Sequence, residues 1–215
     1  MNLNLAKIPD AILLLGPTGS GKTPLGELLE QEGLLGRRCL HFDFGAQLRK
    51  VVAQPTGVIS SSELEIVRNS LTNGTLLTDG QFTIAEKLLG SFIENNRTAT
   101  SDLIILNGLP RHEGQAAALE PLIKIKAVIV LECDAATVLQ RIRTDAGGDR
   151  GSRIDDNIED VKRKLVVFNE KTLPLIRYYD ARAVSIIRIT VGACGSALDS
   201  FETLTGKMDH IVEKP

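Results

Sequence analysis

The residues whose types and spacing most clearly indicate a chemical role form a glycine-rich loop near the start of the chain. The apolar run Ala11–Leu15 leads into the pattern Gly16-x4-Gly21-Lys22-Thr23, and a segment compatible with a helix follows. Glycines let backbone N–H groups approach phosphate oxygens, and the helix N-terminus adds a positive dipole. Lys22 adds a full positive charge. A strand, a loop of this spacing and a helix together predict a site for a nucleoside triphosphate.

Arginines occur in several separate segments of the chain, as a site for a polyphosphate requires. Arg141 ends a predicted helix, Arg150 and Arg153 lie in a short glycine-rich stretch, and Arg49 and Arg111 belong to other segments. Phosphoryl transfer needs positioning and charge neutralisation, and a guanidinium holds phosphate through two hydrogen bonds. We interpret these residues as a phosphate cage. The alternative is an ordinary solvated surface of charged side chains.

A third pattern follows the predicted buried strand Leu103–Asn107. The chain continues as Gly108-Leu-Pro-Arg111 and reaches Gln115 four residues later. A strand that ends in a proline-stiffened turn places a cation and an amide at the carboxyl edge of the sheet. Ligands bind at that edge in open α/β folds. Gln115 is equally compatible with a position on the surface of a helix.

Composition limits the class of protein. A chain of 215 residues with 43% hydrophobic residues suits one α/β domain, and a net charge of −2 does not favour bulk binding to nucleic acid or membranes. The first apolar run has only five residues and follows Pro9 and Asp10, so it is neither a signal peptide nor a membrane span. We therefore expect a cytoplasmic protein with no nucleic-acid or membrane partner. We also expect a monomer.

The cysteines give no sign of a metal or disulfide framework. Cys39, Cys133 and Cys194 are odd in number and widely spaced along the chain. Zinc ligands and disulfide frameworks usually show paired or closely spaced cysteines. We predict reduced thiols in the core.

Short apolar runs alternate with segments compatible with helices. The predicted strands are Ala11–Leu15, Arg38–Phe42, Leu103–Asn107, Ala127–Glu132 and Val184–Thr190. The predicted helical segments are 22–33, 79–96, 112–120, 134–143, 156–180 and 196–212. Apolar strands of this length are typical of parallel sheets buried on both faces. The order predicts a three-layer α/β fold with a five-stranded parallel sheet.

Two intervals do not fit this alternation. Residues 44–77 are too many for one crossover helix and contain two helix-like runs around a Pro-Thr-Gly turn. Residues 144–153 are short, charged and rich in glycine. We interpret both as excursions from the core that could close over a ligand.

These segments, taken in order, resemble the adenylate kinase branch of the nucleoside monophosphate kinases. The resemblance extends over about residues 10–190 and rests on Gly16–Lys22, His41–Arg49, Gly74–Asp79, Asn107–Gln115, Arg141, Arg153–Asp156 and Thr172–Tyr179. It implies one P-loop kinase domain over 1–215. Within that domain, 44–77 would be the monophosphate-binding insertion and 144–153 a short lid.

The resemblance also implies roles for individual residues. ATP would contact Gly16, Pro17, Thr18, Gly19, Ser20, Gly21, Lys22, Thr23 and Arg141. The monophosphate would contact Phe44, Arg49, Leu76, Leu77, Thr78, Gly108, Arg111 and Gln115. Lys22, Arg111, Arg150, Arg153 and Lys164 would be catalytic, and Thr23 and, through water, Asn107 would bind the metal.

The activity that the resemblance implies is transfer of the ATP γ-phosphoryl group to a monophosphate, with AMP favoured by Gln115. Two ADP would result, with Mg²⁺ as cofactor and no zinc, because the lid lacks the insertion that carries four zinc ligands. Alternatives are a UMP or CMP kinase, a tRNA-prenylating transferase with a similar loop, and a nucleotide-binding protein that has lost efficient transfer.

Several positions differ from the family's usual pattern. Asn107 stands where the family usually has an aspartate that helps to hold magnesium through water, and Phe44 replaces a threonine of the monophosphate pocket. Asp145 and Lys164 stand where arginines are usual. Lysine keeps the charge but loses the paired hydrogen bonds of a guanidinium. These differences do not remove the phosphate cage.

Overall fold

A parallel sheet forms the centre of the computed structural model, which describes residues 8–96, 98–99, 101–148 and 158–212. Its strands are β1 (Asp10–Leu15), β2 (Cys39–Asp43), β3 (Leu103–Asn107), β4 (Lys124–Glu132) and β5 (Ser185–Thr190). They pair in the order β2-β3-β1-β4-β5, and every pairing is parallel. The predicted α/β fold with a five-stranded parallel sheet is confirmed.

Helices connect the parallel strands, whose consecutive ends lie at opposite edges of the sheet. Those that the structure describes are α1 (Lys22–Glu32), α2 (Phe44–Ala53), α3 (Ser61–Asn73), α4 (Phe82–Asn95), α5 (Glu113–Leu119), α6 (Ala135–Arg143), α7 (Ile158–Val167), α8 (Leu175–Asp180) and α9 (Ala197–Val212). None of these helices, within the described ranges, is long and apolar enough to cross a membrane.

The side chains of each strand alternate between two cores, one on each face of the sheet. In β1, Leu13 belongs to one core, and Ile12 and Leu14 belong to the other. Helices α1 and α9 cover the second face, with Leu29 and Leu204 fully buried there, while α4, α5 and α8 cover the first. Helix, sheet and helix therefore form the three predicted layers.

Strand β4 is longer than predicted. It begins at Lys124 rather than Ala127, and its first residues pair with the start of β1. Lys124 and Lys126 are exposed in this extension. The apolar pattern did not predict this part of the strand, because a strand end outside the core can carry charged side chains.

The segment predicted as one helix over 156–180 is interrupted. Helices α7 and α8 are separated by a π-helical turn at Phe168–Thr172, and Pro174 lies just before α8. The turn buries Thr172, whose Oγ1 donates a hydrogen bond to the backbone oxygen of Arg111 at 2.8 Å. The interruption therefore ties this region to the loop after β3.

Two helices, α2 and α3, stand outside the regular alternation, within the predicted excursion 44–77. Oδ1 of Asp43 caps α2 by accepting a hydrogen bond from the backbone N–H of Ala46 at 2.8 Å. A capping box at the start of α3 includes Glu63. Nζ of Lys87 on α4 contacts the same Glu63 carboxylate at 2.7 Å, and this contact joins α3 to the body of the fold.

The cysteines are all free, but they do not share one environment. Cys39 is buried, Cys133 is half-buried and Cys194 is exposed. The prediction of core thiols is therefore right for Cys39 and wrong for Cys194. Cys194 lies in the loop after β5, where the chain has left the core.

The ring of His41 in β2 packs against Gly26 of α1, in a space that a side chain at residue 26 would fill. No described residue forms a hydrogen bond with its buried Nε2. Burial lowers the pKa of His41, although the carboxylates of Asp43 and Glu30 act in the opposite direction. The fold therefore accommodates the neutral imidazole better than the charged one.

We expect the free energy of unfolding to fall as the pH decreases through about 6.5, the ordinary pKa of histidine. In that range the unfolded chain binds a proton that folded His41 resists, so protons favour unfolding, with a slope of at most ~1.4 kcal/mol per pH unit. Urea unfolding of the wild type and His41→Gln, from about pH 8 to about pH 5, measures this term. The variant should lose it, and identical profiles for the two proteins would contradict the assignment.

Candidate active site

The carboxyl ends of the strands open onto one cleft. The predicted site residues that line it are Gly16, Thr18, Gly19, Gly21, Lys22, Thr23, Phe44, Arg49, Leu76, Leu77, Asn107, Gly108, Arg111, Gln115, Arg141 and Lys164. Pro17, Ser20 and Thr78 are described but do not line it. Arg150 and Arg153 lie outside the described residues. One cavity thus brings together most of the residues that the sequence assigned to the site.

The loop between β1 and α1 has the backbone geometry of an anion cradle. Gly19 has a φ of 77° and Gly21 a φ of 94°, a region that residues with a Cβ rarely adopt. Nζ of Lys22 donates hydrogen bonds to the backbone oxygens of Gly16 at 2.8 Å and Pro17 at 2.7 Å. The ammonium group is therefore held at the loop, beside the N-terminus of α1.

Three polar side chains meet next to this loop. Oγ1 of Thr23 donates a hydrogen bond to Oδ2 of Asp43 at 2.8 Å. Nδ2 of Asn107 donates to the same carboxylate oxygen at 2.9 Å and to Oγ1 of Thr23 at 3.0 Å. Asp43 is not among the site residues predicted from the sequence. Its position directly after a predicted strand, at the edge where ligands bind, was the available signal.

The oxygen atoms at this point fit a magnesium ion that binds together with a nucleotide. The Thr23 hydroxyl and the Asp43 carboxylate are 2.8 Å apart, and Mg²⁺ prefers oxygen ligands. Among the described residues, no group of three or more His, Cys, Asp or Glu could hold a metal. Mg²⁺ does not need such a group, because it keeps several waters and takes ligands from phosphates. The contact of Asn107 with the metal through water stays a prediction.

Arg111 is positioned through its backbone. Its N–H donates a hydrogen bond to Oε1 of Gln115 at 2.9 Å, and its carbonyl oxygen accepts one from Thr172 at 2.8 Å. Burial lowers the pKa of the Arg111 guanidinium, while the Asp43 carboxylate acts in the opposite direction. Arginine stays charged in proteins even so. A fixed positive charge therefore lines the cleft between the phosphate loop and Gln115.

Gln115 is not a surface residue, so that alternative is wrong: it is only 2% exposed. Its Nε2 donates a hydrogen bond to the backbone oxygen of Leu77 at 3.1 Å, and its Oε1 accepts the one from Arg111. These bonds use one of the two N–H groups and one of the two lone pairs of the amide. Gln115 therefore joins the loop after α3 to the turn that carries Arg111.

Apolar side chains line the part of the cleft near Gln115. Phe44 is buried and stacks on Phe42, with ring centroids 6.1 Å apart. Leu77 is buried and Leu76 is half-buried. A wall of this kind suits the flat face of a nucleobase. Thr78 is exposed and caps the turn that follows it, so its contact with a nucleotide stays a prediction.

Arg141 joins the phosphate loop to the loop after β5. Its guanidinium donates hydrogen bonds to the backbone oxygens of Gly19 at 2.9 Å, Gly192 at 2.8 Å and Gly195 at 2.6 Å. The residue is only 3% exposed. These carbonyl groups accept from Nε and Nη1, so they fix the guanidinium in one orientation. This anchoring role of Arg141 was not predicted from the sequence.

The other described basic residues of the predicted site come from different elements. Arg49 is exposed on α2, with its guanidinium beside Gly45. Lys164 is half-buried on α7 and lines the cleft. Asp145, in the part of the predicted lid that is described, has a φ of 46°. Cations from α1, α2, α7 and the turn after β3 therefore border one cavity.

The chain is similar in sequence to known adenylate kinases. A family model described as adenylate kinase matches residues 14–184. An adenylate kinase from Synechococcus sp. (strain CC9902) is 33% identical over 205 residues, which cover 92% of this chain and 98% of the relative. One from Thermus thermophilus is 33% identical over 182 residues, covering 82% and 87%. The crystal structure of a gluconokinase from Sinorhizobium meliloti 1021 aligns with a TM-score of 0.53 and 14% identity, over 96% of this chain and 97% of that chain, and this likeness concerns the fold alone.

We expect Arg141→Met to lower the free energy of unfolding by about 2–4 kcal/mol, because three carbonyl groups lose a charged donor. Arg141→Lys should recover part of the loss, since an ammonium keeps the charge but cannot reach all three oxygens. Urea unfolding measures both variants. Arg143→Met, two residues along the same helix and exposed, is the control. Equal stability of the Arg141→Met and Arg143→Met proteins would contradict the anchoring role.

Proposed function

The chain belongs to the adenylate kinase family, and we propose that it transfers the γ-phosphoryl group of ATP to AMP, giving two molecules of ADP. Family membership supports the broader class, an ATP-dependent nucleoside monophosphate kinase, and AMP as the acceptor is the proposal. The observation that supports it most is that one cleft contains both the phosphate loop and the residues Phe44, Arg111 and Gln115. Two nucleotides in this cleft would have their phosphates directed towards each other.

ATP would lie with its β- and γ-phosphates on the backbone N–H groups of residues 16–23. Lys22 would exchange its contacts with the loop carbonyls for contacts with phosphate oxygens, which bind an ammonium more strongly because they are charged. The adenine would lie against the planar face of Arg141. Thr23 would hold Mg²⁺, which neutralises charge on the phosphates when it is bound. Asn107 would contact the ion through water.

AMP would occupy the other half of the cleft. Its phosphate would bind Arg49 and Arg111, and its base would pack on the apolar wall of Phe44, Leu76 and Leu77, bordered by Thr78 and Gly108. The second N–H and the second lone pair of Gln115 would face the edge of the base. An amide that offers one donor and one acceptor side by side matches adenine, which offers the complementary pair.

The chemical step needs no general base, because the attacking phosphate oxygen of AMP is already anionic. A bond forms between this oxygen and the γ-phosphorus of ATP. At the same time the bond from the γ-phosphorus to the oxygen that bridges it to the β-phosphorus breaks, and the ADP derived from ATP leaves with that oxygen. Lys22, Arg111 and Lys164 would stabilise the charge on the moving group, together with Arg150 and Arg153. The insertion 44–77 and the lid 144–153 would close to exclude water.

ATP and AMP would then be the partners of the chain. Its net charge of −2 provides no bulk attraction to nucleic acid or to anionic membranes. A monomer suffices, because every group in this scheme comes from one chain. The cytoplasm, which contains ATP, is the compartment that fits this function.

We expect Arg111→Ala to lower AMP-dependent formation of ADP by roughly 10²–10³-fold, the loss typical for a donor that stabilises transition-state charge. The affinity for ATP should change little, because Arg111 lies on the AMP side. A coupled assay with ATP and Mg²⁺ measures the rate, and calorimetry measures ATP binding. Arg188→Ala, which removes an exposed arginine from β5 outside the cleft, is the control. An active Arg111→Ala enzyme would refute the role of this residue.

The same assay with UMP, CMP or GMP in place of AMP tests the acceptor. AMP should be the fastest acceptor, as expected for a member of the adenylate kinase family. A faster rate with UMP or CMP would support the alternative monophosphate kinases. Tight ATP binding with no ADP from any monophosphate would support a nucleotide-binding protein without transfer activity.

A further inference from the structure

The Asp43 carboxylate lies against the hydroxyl of the phosphate-loop threonine. Oδ2 of Asp43 accepts hydrogen bonds from Thr23 at 2.8 Å and from Asn107 at 2.9 Å. The contact follows from the sheet, because Asp43 and Asn107 are register partners at the ends of β2 and β3. The carboxylate therefore reaches the point at which the phosphate loop and the ends of β2 and β3 meet.

Capping α2 does not explain this contact. The cap uses Oδ1, which accepts the hydrogen bond from the backbone N–H of Ala46. Oδ2 points instead to Thr23 and Asn107. An asparagine would cap the helix equally well, so the cap does not account for the second oxygen or the negative charge, which also acts on the Arg111 guanidinium.

The charge of Asp43 conflicts with a polyphosphate ligand. Among the described residues that line the cleft, Asp43 is the single carboxylate. A negative charge next to bound phosphates is unfavourable unless a cation lies between them. Mg²⁺ is the cation that accompanies ATP, and it binds carboxylates and phosphates together.

Position 107 cannot supply this carboxylate. Asn107 is uncharged, and its Nδ2 is directed at the two oxygen atoms as a donor. A group that donates to metal-binding oxygens orients them, as partners of metal ligands commonly do. The chain thus has an orienting amide on β3 and a carboxylate on the neighbouring strand.

We propose that Asp43, together with Thr23, forms the protein side of the magnesium site, and that Asn107 orients both oxygens. The carboxylate that the resembling family usually carries at position 107 is thereby moved to the adjacent strand. This inference rests on the proposed function, because the ion enters with the nucleotide. Asp43 binds it either directly or through one of its waters.

Mn²⁺ binding to the protein saturated with a nonhydrolysable ATP analogue tests the proposal, with free Mn²⁺ counted by electron paramagnetic resonance. Asp43→Asn keeps the cap of α2 and removes the charge. We expect its affinity for Mn²⁺ to fall by roughly 10–100-fold, while metal-free binding of the analogue does not weaken, because a negative charge next to its phosphates has been removed. Glu132→Gln removes a carboxylate from the same edge of the sheet, outside the cleft, and should leave the affinity unchanged.

The double variant Asp43→Asn/Asn107→Asp returns a carboxylate to the neighbouring strand and should bind Mn²⁺ more tightly than Asp43→Asn alone. Thermal melting checks that the variants fold, and Asp43→Ser, which also caps α2, replaces Asp43→Asn if that protein does not. Unchanged Mn²⁺ affinity in a folded Asp43→Asn protein that still binds the analogue would overturn the role of Asp43. A loss of AMP affinity without a loss of Mn²⁺ affinity would overturn it too, because Asp43 would then serve only Arg111. A wild type that binds no ATP analogue would refute the proposed function itself.

Discussion

Phosphate groups repel each other, and the cleft is organised around that repulsion. Two unit charges 4 Å apart repel by about 4 kcal/mol at an effective dielectric constant of about 20, and two nucleotides bring several such charges together. Lys22, Arg111 and Lys164 line the cleft from α1, the turn after β3 and α7. No single element could surround a phosphoryl group from all these directions. The cleft depends on a fold that brings distant segments to one place.

The parallel sheet provides that place. Parallel strands end at the same edge, so the phosphate loop after β1, Asp43 at the end of β2 and Asn107 at the end of β3 become neighbours through register alone. Buried hydrogen bonds then connect the loops beyond this edge. Arg141 forms hydrogen bonds with both the phosphate loop and the loop after β5. Gln115 forms hydrogen bonds with both the loop after α3 and the backbone of Arg111. Packing in the two cores stabilises the strands, and the hydrogen bonds of Arg141 and Gln115 stabilise the loops.

Local patterns were enough to predict most of the fold. The glycine loop, the short apolar strands and the proline turn after β3 each follow from neighbouring residues, and the observed elements agree with them. The contacts that local patterns cannot show join residues far apart in the chain. The bond between Asn107 and Asp43 spans 64 positions, and that between Arg141 and Gly19 spans 122. Asp43 was therefore not predicted as a site residue, and Arg141 was predicted only as a contact for ATP.

Binding of a bisubstrate mimic, two adenosines joined by five phosphates, tests the central claim most directly, because it carries the whole polyanion in one molecule. Calorimetry with the mimic alone, and then in the presence of ATP or AMP, measures its stoichiometry and its competition with each nucleotide. If the cations border one continuous site, one mimic binds each chain and both ATP and AMP compete with it. A mimic that displaces ATP while AMP still binds would show two separate sites and would contradict this account.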